Sequence, residues 1–501
     1  MKYKIIIIIL LILFLVVNVY EKFNNLNLNR KNINKFDLTI VRVRVHKLDF
    51  NWLEPFNKSS SYESIGTGFF INKEGYLLTN FHVVNKGIKV FIQIPLIGNK
   101  TYDCDIISVY PKLDIALLKV IDYTNEHYLE LGNSNKVLKG QSVIAIGYPL
   151  GQNKVKITSG IVSGIQDGDI QTDSPINKGN SGGPLLDKDN KVIGVNYAGY
   201  DDAQNIGYAI PVNYIKLVLK DMYNNKLINF PILGAIFNNT TNLMFKLTKL
   251  CKEGYYISDV LEKGTLDLGG IKKGDIICSF DNKKMDNYGE ILIKELNTKF
   301  HISKYLKYKK VGDIINVILI RDIDNNNFQN PNSIKLITTQ IKLLSNTYYK
   351  IRDLHFQYED IDYQIIGGLV IMELSNNHLY LFEEEHKIEK VEKYNNIKNK
   401  IKSKLIITHI LKGSKISEDN IFKPPQILSK VNNIEISNLI ELRDSLKKML
   451  IQNDIYYFSF LTEENKYLIL GLDETKKEEI FLSKKYNYIL TDYTKKILGL
   501  H

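Results

Sequence analysis

The sequence predicts a mainly β fold, with a barrel or sandwich domain followed by two small α+β modules, and three observations carry that expectation. The stretch "TIVRVRVHKL" alternates strictly through Val41, Val43 and Val45, the period of a half-buried strand. From there to about Pro211, short apolar runs recur between Gly, Asn and Asp turn signals: "GTGFFI", "YLLT", "IKVFIQI", "DIALLKV", "SVIAIGY" and "KVIGVNY". Two later segments, "GYYISDVLEKGTLDLGGIKKGDIICSFDNKKM" and "LIITHILKGSKISEDNIFKPPQILSKVNNIEISNLIELRDSLKKM", share an order of strand, short helix and strand, and the second ends in a clear helix.

Taken in order, the chain opens with "MKYK" and thirteen unbroken apolar residues, Ile5 to Val17. Such a core behind a positive start is a signal-peptide pattern, but no small-x-small cleavage site follows. It is also shorter than the ~20 residues of a usual membrane span. We read residues 1–20 as an uncleaved signal anchor with Lys2 and Lys4 on the cytosolic side, with a cleaved signal peptide as the competitor. Residues 21–37 are polar and Asn-rich, a tether. Residues 38–225 form the first folded domain, closed by helical periodicity in "VNYIKLVLKDMY". The modules follow at about 230–345 and 350–475, leaving 476–501 as a C-terminal extension. Asp322 to Ser333 reads as an exposed loop, "KYLKYKK" as an exposed lead-in to a strand, and the mixed-charge run from Glu383 to Lys404 as solvated surface.

With 501 residues, 44% of them hydrophobic and 24% charged, the chain is globular and long enough for several cores. Its formal charge of +11 is spread over scattered lysines, which reads as solvated surface rather than a nucleic-acid footprint. The three cysteines, Cys104, Cys251 and Cys278, include no C-x-x-C pair and argue against a disulfide framework or a cysteine metal site. The histidines show no H-E-x-x-H spacing, so no metal and no cofactor is implied.

The chemistry concentrates around "NKGNSGGPLL", where Gly179, Gly182 and Gly183 surround Ser181. Glycine is entropically costly, so this density signals a demand on backbone conformation. A tight turn between strands would satisfy it; so would a nucleophile whose neighbouring N–H groups face a developing oxyanion. A serine nucleophile needs a base, and the base works best when a carboxylate holds its tautomer. His82 in "LLTNFHVVNKG" follows one apolar strand and Asp114 in "PKLDIALLKV" precedes another. Singly, the histidine could be a packing residue and the aspartate a strand cap. Together the order His, Asp, Ser is that of chymotrypsin-like enzymes, not of subtilisins or α/β-hydrolases.

"TNFHVV", "LDIALLKV", "ITSGIVSGI", "NKGNSGGPLLD" and "NIGYAIPVNYI" together resemble the protease domain of the HtrA/Deg family of serine endopeptidases over roughly residues 38–220. The resemblance implies a chymotrypsin-like double β-barrel followed by two PDZ-like domains. "IIGGLVIMELSNNHL" and "IVRVRVHKLDFNWLEPF" are closest in kind to the plant organellar and nucleolar Deg branch. Carried over by motif, Ser181 is the nucleophile, His82 the base and Asp114 its orienter, with the N–H groups of Gly179 and Ser181 as oxyanion hole. Phe81 departs from the small residue usual before the histidine, and Lys178 from a common proline. Six positions before Ser181, where trypsin-like members carry an acid, stands Pro175 beside Ile176. The opposite S1 wall is expected from Tyr208, Ala209 and Ile210. The loop "EGYYISDV" matches the position of a PDZ carboxylate-binding loop, implying peptide contacts at Gly254, Tyr255, Tyr256 and Ile257. The resemblance further implies ATP-independent cleavage of unfolded or damaged protein, and a homo-oligomer built from trimers. A proteolytically silent PDZ scaffold or holdase and a dedicated processing protease are the alternatives.

Overall fold

Ile40–Leu48 (β1), Ser61–Phe70 (β2), Tyr76–Asn80 (β3), Gly87–Gln93 (β4), Thr101–Tyr110 (β5) and Ile115–Val120 (β6) close into an antiparallel barrel of order β1-β2-β3-β6-β5-β4. This is the arrangement in a computed structural model that describes residues 36–57, 60–152, 154–199, 206–241, 250–324, 331–385, 388–419 and 422–500. The alternation in β1 is realised: Val41, Val43 and Val45 are fully buried while Arg42 and Arg44 are partly exposed. Phe69, Leu77, Leu78, Ile92, Leu117 and Leu118 are buried with them.

Ser142–Gly147 (β7), Lys156–Gln166 (β8), Asp169–Thr172 (β9), Pro184–Leu186 (β10), Val192–Gly199 (β11) and Gly207–Pro211 (β12) form a second closed barrel, β10-β11-β12-β9-β8-β7. Its core holds Val143, Ala145, Val162, Ile170, Leu185, Ile193 and Ala209. The helix Val212–Met222 follows, burying Tyr214, Ile215, Val218 and Met222. Two barrels rather than a sandwich result because each sheet finds its own first strand again and leaves no edge.

The chain divides into two compact units, and the division is not contiguous. The unit containing both barrels also takes Glu290–Lys309, and the other takes Leu48–Tyr62 along with Asn229–Gly289 and Lys310–His501. A boundary drawn along the sequence therefore misplaces two segments. In the second unit, Pro231–Ile232 pairs with Leu344–Ser345. The sheet of the first α+β module runs in the order Ala235–Asn238, Tyr255–Val260, Ile276–Phe280, Ile314–Asp322, Ile334–Lys342. The expectation of no disulfide is corrected here: Cys251 and Cys278 are bonded, with Cα atoms 6.3 Å apart. They lie 27 positions apart in sequence, and only the pairing of Tyr255–Val260 beside Ile276–Phe280 brings them together. Cys104 is free and buried.

The second module is built on an eight-stranded sheet that includes Tyr363–Ile366, Leu369–Glu373, Leu405–Ile410, Gln426–Val431 and Ile455–Thr462. Of the expected extension 476–501, the described residues 476–500 pack against the module and contribute side chains to its core. Leu482 in the helix Leu472–Tyr486 is fully buried, and Ile497 and Leu498 in Asp492–Leu498 join the main apolar cluster. The mixed-charge run is likewise folded in, with Val391 and Tyr394 buried and the Tyr394 hydroxyl donating to Glu463. Leu48–Tyr62 docks in the same unit: Phe50 stacks on Phe356 at 4.8 Å, and Thr408 Oγ1 donates to the Leu53 carbonyl at 2.8 Å. The buried His378 donates from Nε2 to the Trp52 carbonyl at 3.1 Å, and burial holds its pKa down at about 4. The imidazole there is a neutral structural strut.

Glu479 is fully buried, with Tyr488 Oη donating to Oε1 at 2.7 Å and the Gly367 N–H to Oε2 at 2.8 Å. Burial outweighs both bonds and pushes its pKa up to about 7. The folded state therefore holds a proton that the unfolded chain releases above the ordinary glutamate value of 4.5, and stability falls as pH rises between those two values. Glu479→Gln should remove this dependence, gaining on the parent by up to about 3 kcal/mol between pH 4.5 and 8 in denaturant melts. A difference that does not change with pH would mean that the carboxyl is not desolvated.

Candidate active site

Three short backbone features bring His82, Asp114 and Ser181 to the face where the barrels meet. His82 stands in the single turn Phe81–Val84 that ends β3, with Phe81, Val83 and Val84 turned into the core, so the imidazole is the side chain left outside. Phe81 is accommodated by burial, 7% exposed. Asp114 ends the 3₁₀ turn Pro111–Leu113 in the left-handed conformation, φ 55°. Asparagine and aspartate tolerate that region better than other side-chain-bearing residues.

The pairing of His82 and Asp114 is double. The His82 backbone N–H donates to Asp114 Oδ1 at 2.8 Å, and the ring Nδ1 lies 2.7 Å from Oδ2. Such a contact places the proton on Nδ1 and leaves Nε2 as the acceptor, the tautomer a general base requires. Two more bonds fix the aspartate: its carbonyl accepts from the Phe81 N–H and from Asn80 Nδ2, each at 3.0 Å. Lys47, 7% exposed, donates to the His82 carbonyl at 2.7 Å.

Ser181 sits on the loop between β9 and β10. Asn180 N–H donates to Asn177 O at 2.9 Å, closing a turn in which Gly179 has φ 99°, a conformation open to glycine. Thr67 of β2 organises the loop from the first barrel. Its N–H donates to Ser181 O at 2.9 Å, its hydroxyl donates to Gly179 O at 2.6 Å, and the hydroxyl accepts from Tyr148 N–H at 3.0 Å. Sequence reasoning missed Thr67; its only signal is its place between Gly66 and Gly68. The Ser181 hydroxyl donates to the Tyr197 carbonyl at 3.1 Å.

Of the expected S1 residues, Ile176 and Ala209 belong to the second barrel's core, and Ile210 is 3% exposed. Ile176 packs so closely on Gly207 that a Cβ there would lie 2.7 Å from its Cδ1. Pro175 is exposed and Tyr208 half-buried, its ring 6.2 Å from that of Tyr197. No carboxylate stands at either expected wall.

The expected PDZ contacts are corrected. Tyr255, Tyr256 and Ile257 lie on the interior strand Tyr255–Val260, which Gly254 immediately precedes, and not at a free edge. Tyr255 and Tyr256 pair with Ile277 and Ile276, while Phe237 and Asn238 occupy the other side opposite Ile257 and Tyr256. The Gly254 N–H already goes to Asn287 Oδ1, and the Ile257 N–H to Asp275 O. The edge strand beside them is Ala235–Asn238, entered through Gly234 at φ 69°, and Ile334–Lys342 is the strand at the opposite end of the sheet.

Paired closed antiparallel barrels of six strands each define a chymotrypsin-like fold. Residues 66–195 match the trypsin-like peptidase domain. Over 280 residues the chain is 35% identical to a probable periplasmic serine endoprotease DegP-like protein of Rickettsia prowazekii, covering 52% of this chain and 53% of that one. It is 32% identical over 251 residues to the periplasmic pH-dependent serine endoprotease DegQ of Escherichia coli, covering 47% and 54%. The solved HtrA-type protease AlgW with tripeptide is 23% identical, covering 63% of this chain and 96% of that chain with a TM-score of 0.48. The chain thus carries a trypsin-like peptidase domain and over about half its length is similar to DegP-like and DegQ serine endoproteases. It spans about half the length of the curated relatives it matches.

Proposed function

We propose that the chain is an ATP-independent serine endopeptidase that cleaves unfolded or damaged protein. Ser181 attacks the scissile carbonyl, His82 accepts and returns its proton, Asp114 holds the imidazole, and the Gly179 and Ser181 N–H groups receive the oxyanion. The observation that carries this reading is the pair of hydrogen bonds between His82 and Asp114, at 2.8 and 2.7 Å. Fluorophosphonate labelling followed by peptide mapping tests it, with the adduct expected on Ser181. An unlabelled protein would leave the scaffold or holdase reading.

Specificity follows from the walls beside Ser181. Pro175, Ile176, Tyr208, Ala209 and Ile210 offer no charge to pair with Lys or Arg, so cleavage is expected after Val, Ile, Leu, Ala or similar uncharged residues. Peptide-library profiling with a dominant basic preference would refute this.

The two α+β modules act as PDZ-like domains, the first accepting an extended segment along Ala235–Asn238 by strand addition. The second module of the plant-type Deg branch supplies the assembly surface, and protease domains associate as trimers; light scattering of the full chain tests that stoichiometry. The apolar N-terminus lies outside the described residues, and among those described no helix is long and apolar enough to cross a membrane. We read it as a signal anchor or cleaved signal that places the enzyme at a membrane or in a secretory or organellar lumen. Mass spectrometry of the mature N-terminus separates the two.

A further inference from the structure

The segment Glu290–Lys309 interrupts the first PDZ-like module in sequence but packs in the unit of the two barrels. It folds as a hairpin, Glu290–Ile293 with Thr298–His301, followed by the turns Ile302–Tyr305 and Leu306–Tyr308. Phe300, Ile302 and Tyr305 are buried, so the basic run expected to be an exposed lead-in is instead a docked element. Tyr308 meets the ring of Tyr214 edge-on at 4.7 Å, and Tyr214 Oη donates to Gly168 O at 2.9 Å. Gly168 follows Asp167 in the tight turn joining β8 to β9, where both residues have positive φ.

From this element Lys307 reaches Asp169. Its Nζ lies 3.0 and 3.2 Å from the two carboxylate oxygens, and the paired side chains are only 16% and 13% exposed. Tyr197 Oη donates to Asp169 Oδ2 at 3.1 Å. The carbonyl of that same Tyr197 accepts the Ser181 hydroxyl at 3.1 Å. Burial and the Asp169 charge both raise the Tyr197 phenol pKa, so it remains a donor. Polar contacts thus link Lys307 to Asp169 and Asp169 to the Tyr197 phenol, and the backbone of that same tyrosine bonds Ser181.

We propose that Lys307 and Asp169 are positioning residues for the hydrolytic centre: their ion pair anchors the Tyr197 phenol and thereby sets the backbone that borders Ser181. This rests on the serine endopeptidase reading. The physical basis is that a buried carboxylate stripped of its cation is strongly disfavoured and rearranges its remaining donors. A displacement of order 1 Å beside a nucleophile costs rate out of proportion to stability.

The test uses the full chain, a fluorogenic peptide selected on the parent enzyme, and the variants Lys307→Met, Lys307→Arg and Tyr197→Phe with their combinations. Lys307→Met should lower kcat about tenfold with KM changed less than about twofold, and Lys307→Arg should recover most of the loss. In a Tyr197→Phe background, where the route is already cut, Lys307→Met should change kcat less than about threefold. Equal losses in both backgrounds, or a lower melting temperature with unchanged kcat, would reduce the pair to a structural staple and overturn the proposal. If Lys307→Met fails to fold, the charge-free pair Lys307→Met with Asp169→Asn takes its place in the same cycle. A parent enzyme that neither cleaves nor labels would sink the endopeptidase reading itself, whereas an active parent with indifferent Lys307 variants sinks this inference alone.

Discussion

Ser181→Ala should abolish peptide and casein hydrolysis, with a loss beyond ~10³-fold, because what survives is binding and oxyanion stabilisation without a nucleophile. The fold should be untouched. The hydroxyl is partly exposed and its bond goes to the Tyr197 carbonyl, so deletion forfeits about 1 kcal/mol or less. The loop keeps its shape through contacts that do not involve Oγ, among them Thr67 N–H to Ser181 O and Thr67 Oγ1 to Gly179 O. A melting temperature near that of the parent together with complete loss of turnover is therefore the expected pair of results. Casein cleavage retained by Ser181→Ala would remove the serine from the mechanism, and with it the reading of His82 and Asp114.

The protease domain was legible because its information is local. A strand such as β1 announces itself by alternation within ten residues, and each proposed catalytic side chain stands at a strand end with its motif around it. The missing features depend on partners far away in sequence. "GYYISDV" looks like a ligand-binding strand until Phe237 and Ile277 are seen to flank it, leaving no free edge. The Cys251–Cys278 pairing and the Lys307–Asp169 bond are likewise invisible to spacing, the latter joining residues 138 positions apart. The C-terminal helices were missed for another reason. Leu472–Tyr486 carries eight charged residues in fifteen, and that composition masks the buried Leu482 and Glu479. Neither the docking of Leu48–Tyr62 nor that of Glu290–Lys309 could emerge from cutting the chain into consecutive domains, since each leaves the element that flanks it in sequence.

The glycines after Ser181 carry the second large effect. A Cβ on Gly183 would lie 2.0 Å from Ile146 O and 3.0 Å from Asn180 O. Both are backbone atoms, and Ile146 belongs to β7, whose partners β8 and β10 hold it in the closed barrel. Relief would require moving that strand or the Ser181 loop itself. Gly182 is constrained twice over, with φ 86° and a Cβ position 2.1 Å from Thr67 O. We expect Gly183→Ala to destabilise the domain by more than ~4 kcal/mol, in the range that marks severe overpacking against fixed backbone, and to yield little soluble protein. Gly164 in β8 is the matched control, since nothing lies within 4 Å of its Cβ position and its φ is ordinary. There Ala should fall within about 0.5 kcal/mol of the parent, or gain slightly by restricting the unfolded chain. Denaturant melts of the two variants decide the matter: equal stabilities would mean that the glycines beside Ser181 do not provide the close approach between the Ser181 loop and the barrel behind it.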